Sequence, residues 1–181
     1  MSEEQAAPPA RTALVVVNTG NGKGKTTAAL GVLFRAWGRG YRVCMLQFIK
    51  STTSNYGENR AAKKIGMEIE ALGGGFTWLS KDIEKDKALA RDLWERCKER
   101  IGSGEYDIVA LDEFTYPLAY GWLPVDEVIE FLRGRPQRTH VIITGRDAPQ
   151  ELIDFADLVT EMREVKHPFQ QGLKAQPGID F

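Results

Sequence analysis

Glycine, lysine and threonine residues are concentrated in one short stretch near the start of the chain. Its residues are Gly20, Asn21, Gly22, Lys23, Gly24, Lys25, Thr26 and Thr27. Glycines let a loop turn its backbone N–H groups inward onto a phosphate, and a helix that starts there adds partial positive charge. We therefore predict a phosphate-binding loop in which Lys25 contacts phosphate oxygens and Thr26 offers its hydroxyl to Mg²⁺.

The length of this loop is unusual. In the common phosphate-binding pattern a glycine lies five residues before the glycine of Gly-Lys-Thr. That position is Thr19 here, and the first glycine is Gly20. The loop is therefore one residue short, and a shorter loop could change the way a polyphosphate lies in it.

Two adjacent carboxylates form the second candidate group. Asp112 and Glu113 follow the apolar run 108–111, which is a Walker-B pattern. A carboxylate at the end of a strand neighbouring the phosphate loop can hold magnesium directly or through water and so complement Thr26. A helix-capping or surface acid is the alternative. We predict a metal site of Thr26, Asp112 and Glu113, and the spacing does not distinguish which acid contacts the metal.

The elements that must position these groups alternate between strands and helices. Apolar runs of strand length and segments of helical period follow one another along the chain. The strands are predicted at Ala13 to Val17, Val43 to Ile49, Ile108 to Leu111 and Val141 to Ile143, and the helices at Thr26 to Trp37, around Leu89, Leu93, Cys97 and Ile101, at Val125 to Leu132 and at Gln150 to Phe155. This order predicts a single α/β domain of P-loop (RecA-like) type, with a mostly parallel sheet covered by helices on both faces.

Composition excludes several classes of function. The chain has 181 residues, enough for one substantial core, and a formal net charge of −1, which gives no general attraction for nucleic acid. Its two cysteines, Cys44 and Cys97, exclude a disulfide framework and a thiolate metal cage, and they favour a reducing cytoplasm. No apolar stretch is long enough to cross a membrane. Residues 1–11 are expected to form a flexible arm, and residues 12–181 the domain.

Six segments resemble the P-loop family of ATP:corrinoid adenosyltransferases. They are Thr19 to Ala29 (TGNGKGKTTAA), Gln47 to Lys50 (QFIK), Gly75 to Trp78 (GFTW), Leu111 to Tyr116 (LDEFTY), Val141 to Arg146 (VIITGR) and Val165 to Phe181 (VKHPFQQGLKAQPGIDF). The match covers nearly the whole chain after Arg11, in the right order. The combination is specific, whereas no single segment is, apart from the short loop taken together with Gly-Phe-Thr-Trp.

The resemblance implies a reaction. The 5′-deoxyadenosyl group of ATP would pass to the cobalt of a reduced corrinoid, and inorganic triphosphate would be released. In this family ATP lies inverted in the loop, which then holds the leaving polyphosphate; the missing loop residue is a family trait. Because Co(I) is the nucleophile, no general base is required of the protein. Mg²⁺, for which Mn²⁺ could substitute, would assist the leaving group.

The resemblance also implies roles for residues and partners. Lys25 and Glu113 would serve the leaving triphosphate, the latter through the metal. Phe76 and Trp78 match aromatic residues that close over the lower face of the corrin; without the resemblance, ordinary packing of a loop would be favoured. Tyr116, Tyr120 and Trp122 could line the corrin site or pack in the core. A homodimer and an electron donor such as a flavoprotein are expected from the family.

Three functions remain to be distinguished at this point. The first is the adenosyl transfer that the resemblance implies. The second is a P-loop ATPase or small-molecule kinase, which would act at the γ-phosphate and yield ADP. The third is a nucleotide sensor that binds ATP without turnover. Of the two histidines, His140 is expected to be structural, and His167 to be a hydrogen-bonded polar residue rather than a ligand.

Overall fold

A computed structural model describes residues 13–51, 56–73 and 83–180 of the chain. The strands are β1 (Val15–Thr19), β2 (Val43–Ser51), β3 (Glu68–Gly73), β4 (Ile108–Asp112), β5 (His140–Thr144) and β6 (Leu158–Glu161). The α-helices are α1 (Lys25–Trp37), α2 (Gly57–Ile65), α3 (Ile83–Gly102), α4 (Thr115–Ala119), α5 (Val125–Arg133) and α6 (Gln150–Phe155), and a short 3₁₀ helix covers Pro168–Gln171. None of these helices combines the length and apolar character that crossing a membrane requires.

The strands of the described ranges form one sheet in the order β3-β2-β4-β5-β1-β6. Every pairing between them is parallel. Parallel neighbours require crossover connections, which the helices provide. The predicted α/β fold with a parallel sheet is therefore confirmed. All the carboxyl ends of these strands meet at one edge, which is where open parallel sheets bind ligands.

The two acids approach the phosphate loop across an intervening strand. The strand that ends in the two acids, β4, does not neighbour the phosphate-loop strand β1, because β5 lies between them. The acids still come close to the loop because α1 starts at Lys25 and packs across β1, β5 and β4. Spacing along the chain cannot reveal such an inserted strand, since β5 follows β4 in sequence by almost thirty residues.

The two faces of the sheet carry separate hydrophobic cores. One contains Leu46 and Leu111 together with residues of α3, α5 and α6. The other contains Met45 and Ala110 together with residues of α1 and α2. Because successive strand side chains point to opposite faces, β2 and β4 supply both cores in alternation. Burial on both faces explains why these strands are continuous apolar runs in the sequence.

The predicted apolar face of α3 is confirmed. Leu93, Cys97 and Ile101 are buried, and Leu89 packs against the same core. Both cysteines are free and buried. Burial raises the pKa of Cys44 to about 12 and raises that of Cys97 as well. Thiols with such pKa values are unreactive at neutral pH, so the two cysteines have a packing role.

Candidate active site

The predicted phosphate loop lies between β1 and α1 and rests against the segment that follows β6. The Gly22 N–H donates a hydrogen bond of 2.6 Å to the Met162 carbonyl oxygen. A Cβ atom on Gly20 or Gly22 would lie 2.6 Å from this same oxygen, closer than real Cβ contacts. Gly24, the residue before α1, has a φ of 118°, a conformation that favours glycine. Close approach of Met162 and backbone conformation together explain the loop glycines.

Thr19 belongs to the strand and not to the loop. Thr19, which stands where the common pattern has its first glycine, is the last residue of β1 and pairs with Glu161 of β6. Its hydroxyl oxygen accepts a hydrogen bond of 3.2 Å from the Ala148 N–H. The strand thus extends through Thr19, and the loop begins at Gly20, which has a φ of 92°.

Lys25 is held inside the curve of the loop. Its Nζ donates hydrogen bonds of 2.8 Å to the carbonyl oxygens of Gly20 and Gly22. Burial lowers the pKa of Lys25; the negative charge of Glu113 opposes this effect without cancelling it. An ammonium group fixed by backbone carbonyls needs little reorganisation to meet an anion in the loop.

Asp112 is fully buried, and both of its carboxylate oxygens are engaged. Its Oδ1 accepts hydrogen bonds from the hydroxyls of Thr26 and Thr144, at 2.7 and 2.8 Å. Its Oδ2 accepts one of 3.2 Å from Gln47 Nε2. Because the Thr26 hydroxyl directs its proton to Asp112, its lone pairs are left to face a cation. Asp112 is therefore arranged to orient Thr26.

Glu113 differs from Asp112 in its backbone conformation and in the hydrogen bonding of its carboxyl group. Its backbone has a φ of 62°, unusual for a residue other than glycine, and its N–H donates a hydrogen bond of 2.9 Å to Thr144 Oγ1. Its Oε2 is buried and has no hydrogen-bond partner. Burial raises the pKa of Glu113 to about 7, and the nearby charge of Asp112 raises it further. A buried carboxylate oxygen without a partner is costly, and a cation would satisfy it.

These groups meet at a cavity of about 590 Å³ on the carboxyl edge of the sheet. Such a volume is typical of small-molecule and nucleotide sites. The predicted residues that line it are Asn21, Gly22, Lys23, Gly24, Lys25, Thr26, Thr27 and Glu113. Gly20 and Asp112 lie behind this lining and support it through Lys25 and Thr26. The fold thus brings together the phosphate loop and the acids that the sequence predicted.

Comparison with known proteins identifies the family of this chain. The sequence model described as "ATP:corrinoid adenosyltransferase BtuR/CobO/CobP" matches residues 11–181. The chain belongs to this family. The corrinoid adenosyltransferase of Escherichia coli K12 is 45% identical over 168 residues, which are 93% of this chain and 85% of that protein.

Two further adenosyltransferases are similar to this chain. The corrinoid adenosyltransferase CobA of Salmonella typhimurium LT2 is 46% identical over 168 residues, with the same coverage of 93% and 85%. The corrinoid adenosyltransferase of a Sinorhizobium species is 43% identical over 171 residues, which are 93% of this chain and 80% of that protein. The resemblance found in the six segments is therefore confirmed, and the chain is an enzyme of the adenosyltransferase family.

In this adenosyltransferase the cavity also has residues that the sequence interpretation did not select. Lys50 lies at the end of β2, and Arg146 follows β5. The backbone of Arg146 is held by the Thr115 hydroxyl, which donates a hydrogen bond of 2.5 Å to its carbonyl oxygen. The signal that could have found both residues is a cation directly after an apolar strand, at the edge where ligands bind.

Three aromatic side chains form a continuous row that begins at the cavity. Tyr116 lines it, and its ring is nearly parallel to that of Tyr120, with 6.4 Å between centroids. The ring centroids of Tyr120 and Trp122 lie 5.2 Å apart, and Tyr120 is half exposed. Tyr116 and Tyr120 therefore do not belong to the buried core. Phe76 and Trp78, the aromatics that the resemblance selected, lie outside the described residues.

The segment after β6 returns to the phosphate loop. His167 lines the cavity, and its Nδ1 accepts a hydrogen bond of 3.2 Å from the Phe169 N–H at the start of the 3₁₀ helix. This hydrogen bond agrees with the expectation of a satisfied polar residue. Further along, Asp180 lines the cavity and forms an ion pair with Lys23 of the loop. Residues of the last of the six segments that resemble the family therefore form part of the wall of the site.

Proposed function

We propose that this chain transfers the 5′-deoxyadenosyl group of ATP to the Co(I) centre of a reduced corrinoid. A bond forms between cobalt and the ribose C5′, the C5′–O5′ bond breaks, and its electron pair leaves with inorganic triphosphate. The observation that supports this proposal is a lysine-bearing phosphate loop at a nucleotide-sized cavity, in a chain whose residues 11–181 match the adenosyltransferase family.

The residues of the loop would act on the leaving group. Lys25 exchanges one of its backbone carbonyl partners for a phosphate oxygen, and the backbone N–H groups of the loop donate to the other oxygens. Negative charge on the triphosphate grows as the C5′–O5′ bond breaks, so fixed donors stabilise the transition state more than bound ATP. Because the nucleophile is the cobalt of the substrate, the protein contributes position and charge rather than a general base.

The proposed metal is Mg²⁺, with Mn²⁺ as a substitute. Among the described residues no group of three His, Cys, Asp or Glu side chains could hold a metal alone. Thr26 and Glu113 would instead hold it together with phosphate oxygens, and Asp112 would orient Thr26. The buried Glu113 Oε2 without a partner supports this arrangement. When bound, Mg²⁺ would neutralise part of the charge on the triphosphate.

Several further parts of the proposal come from the family. Phe76 and Trp78 would cover the lower face of the corrin and exclude an axial ligand, which makes Co(II) easier to reduce. An electron donor such as a flavoprotein would supply the electron for Co(I). We also propose a homodimer, a cytoplasmic location, and the division into an arm of residues 1–11 and a domain of residues 12–181.

Product analysis under anaerobic conditions tests the proposed reaction. ATP, Mg²⁺ and chemically reduced cob(I)alamin should yield one Co–C bond for each triphosphate released. The absorption spectrum of the corrinoid measures formation of the Co–C bond. Formation of ADP and phosphate instead would identify a kinase or ATPase, and tight binding without turnover would identify a nucleotide sensor.

The same assay tests Lys25. Lys25→Ala should lower the rate of adenosylation by roughly 10²-fold or more, the scale expected when a preorganised charge-stabilising group is removed. Lys63→Ala, at an exposed position of α2, removes the same charge away from the cavity and should leave the rate unchanged. A Lys25→Ala enzyme that keeps near-normal turnover would contradict the role given to this residue.

A further inference from the structure

Lys50 lines the cavity from the end of β2 and has none of the roles proposed above. It is the penultimate residue of β2, the strand that pairs with β4, and lies at the edge of the sheet where the strands end. Its side chain is 19% exposed. Lys50, the loop residues and Glu113 line the same cavity. A largely buried lysine at this place needs anionic partners, because a buried ammonium group is costly without them.

The present partners of Lys50 are two carboxylates and an aromatic ring. Lys50 Nζ forms an ion pair with Glu58 in the first turn of α2. It lies 3.8 Å from Asp112 Oδ2 and 4.8 Å from the centroid of the Tyr56 ring. Asp112 is itself bonded to Thr26 at the start of α1. The ammonium group of Lys50 and the hydroxyl of Thr26 therefore contact the two oxygens of the same carboxylate.

The Glu58 carboxylate is stabilised in its charged form by Lys50 and other groups. Burial acts to raise the pKa of Glu58, but the hydrogen bonds from Lys50, from the backbone and from Gln47, together with the positive charge of Lys50, outweigh this effect, and the pKa is lowered. Glu58 also lines the cavity and is 17% exposed at its side chain. Both members of the pair can thus be reached by a ligand. A carboxylate that can be reached in this way is a partner that a more highly charged anion can replace.

We propose that Lys50 is a second phosphate-binding cation, which leaves Glu58 for an oxygen of the polyphosphate when ATP or triphosphate enters the cavity. Glu58 serves as the internal partner of Lys50 while the cavity holds no polyphosphate, and it competes with the ligand. The inference rests on the proposed function of the same site. It names the polyphosphate as the group recognised from the β2 side, as Lys25 recognises it from the loop side.

The arrangement predicts opposite effects for the two members of the pair. Lys50→Met removes a ligand contact, and the affinity for inorganic tripolyphosphate with Mg²⁺ should fall by roughly tenfold or more, the scale of one charge-assisted hydrogen bond. Glu58→Gln removes the competitor, and the same affinity should rise by roughly threefold or more. Isothermal titration calorimetry at about 0.15 M salt measures both, because screening limits the effect of distant charges there.

A double variant separates direct contact from a general change of charge. In a Lys50→Met background, Glu58→Gln should raise the affinity by less than about twofold, because the cation that it would release is absent. If Glu58→Gln raised the affinity equally in the wild type and in Lys50→Met, the proposal would be overturned. Such a result would indicate that the negative charge of Glu58 only repels the ligand at long range. Lys64→Met, at an exposed position of the same helix, is the matched control and should leave the affinity within about twofold.

A purely structural role for Lys50 gives a different result. If Lys50 only fastened α2 to the sheet, Lys50→Met and Glu58→Gln would both lower the midpoint of thermal unfolding and would both weaken tripolyphosphate binding. That outcome would overturn the proposal, and so would an unchanged affinity in a well-folded Lys50→Met variant. Lys50→Arg, which keeps the charge, should retain most of the binding.

The test distinguishes this inference from the proposed reaction. Tripolyphosphate binding requires no corrinoid, so the effects of Lys50 and Glu58 can be measured whatever the products are. If the wild-type enzyme released ADP and the Lys50 effects were as predicted, the proposed reaction would fail and the phosphate contact would stand. If triphosphate were released and Lys50→Met bound it normally, the reaction would stand and the contact would fail.

Discussion

Asp112 and Glu113 are neighbours in sequence, but the fold gives them different surroundings. The oxygens of Asp112 accept three hydrogen bonds, from Thr26, Thr144 and Gln47. Glu113 has a buried oxygen without a partner and a pKa raised to about 7, first by burial and then by the charge of Asp112. The sequence could not distinguish the two acids, because their difference comes from the ends of β2, β5 and α1.

The raised pKa of Glu113 predicts a pH-dependent loss of stability. Its ordinary pKa is 4.5, and its pKa in the fold is about 7. Between these values the folded state binds a proton that the unfolded state has lost, so the free energy of unfolding falls as pH rises from about 4.5 to about 7 and is then level. The total loss is on the order of 3 kcal/mol.

Comparison with Glu113→Gln isolates this effect. In EDTA, without nucleotide, denaturant unfolding at several pH values should show the variant gaining stability over the wild type as pH rises through this window. Glu127→Gln, on the exposed side of α5, should differ from the wild type by less than about 0.5 kcal/mol at every pH. A Glu113→Gln difference that stays constant from pH 4.5 to 8 would show that Glu113 has an ordinary pKa.

At the scale of elements, periodicity predicted the buried strands and the long helices well. Strands β1, β2, β4 and β5 are apolar because both of their faces are covered, and the four-residue spacing from Leu89 to Ile101 matches the buried side of α3. The elements that were missed are β3, β6, α2, α4 and the short 3₁₀ helix. In β3 the acids Glu68 and Glu70 alternate with apolar residues and pair with Arg100 of α3.

The reason for these omissions is the position of the missed strands. Both β3 and β6 lie at the edges of the sheet, where fewer contacts enforce an apolar pattern. Leu158 of β6 is 52% exposed. Yet β6 leads to Met162, whose carbonyl oxygen supports the phosphate loop. The glycines of the loop could be predicted from the sequence as a phosphate-binding pattern, but the element they rest against could not.

The support of the loop by this segment predicts the effect of a single methyl group. In Gly22→Ala the new Cβ would lie 2.6 Å from the Met162 carbonyl oxygen and 2.7 Å from backbone atoms of Arg163. The loop and the segment must separate, which should cost about 1–3 kcal/mol of stability. Because the backbone N–H groups of the loop would move with it, the affinity for ATP should fall by roughly tenfold.

A second glycine provides the control. Gly31 lies inside α1, and a Cβ added there would meet no atom within 4 Å. Gly31→Ala should therefore stabilise the protein by up to about 1 kcal/mol, because alanine favours the helix, and leave ATP binding unchanged. Thermal unfolding and calorimetric titration measure both variants. If Gly22→Ala bound ATP as the wild type does, the loop would not depend on Met162.

At the scale of the whole molecule, the charge that meets the ligand is local. The net charge is −1, so long-range attraction for ATP is weak. Four cations of the cavity come from three places, namely Lys23 and Lys25 in the loop, Lys50 at the end of β2 and Arg146 after β5. Acids from α2, β4 and the segment around Asp180 stand among them. A polyphosphate with its metal would therefore contact charged side chains from several separate elements at once.

This arrangement predicts that metal and polyphosphate stabilise the fold together. A ligand that binds only the folded state at about 100 times its Kd adds roughly 2.7 kcal/mol, which for a chain of this size raises the midpoint of thermal unfolding by roughly 5–10 °C. Mg²⁺ with tripolyphosphate should produce such a shift, and EDTA should remove most of it, because the phosphates would then lie beside the Glu113 carboxyl group without a metal ion between them. Adenosine without phosphates is the control and should give a much smaller shift. An equal shift with tripolyphosphate in EDTA would mean that the cations of the protein suffice, and that Thr26 and Glu113 hold no metal.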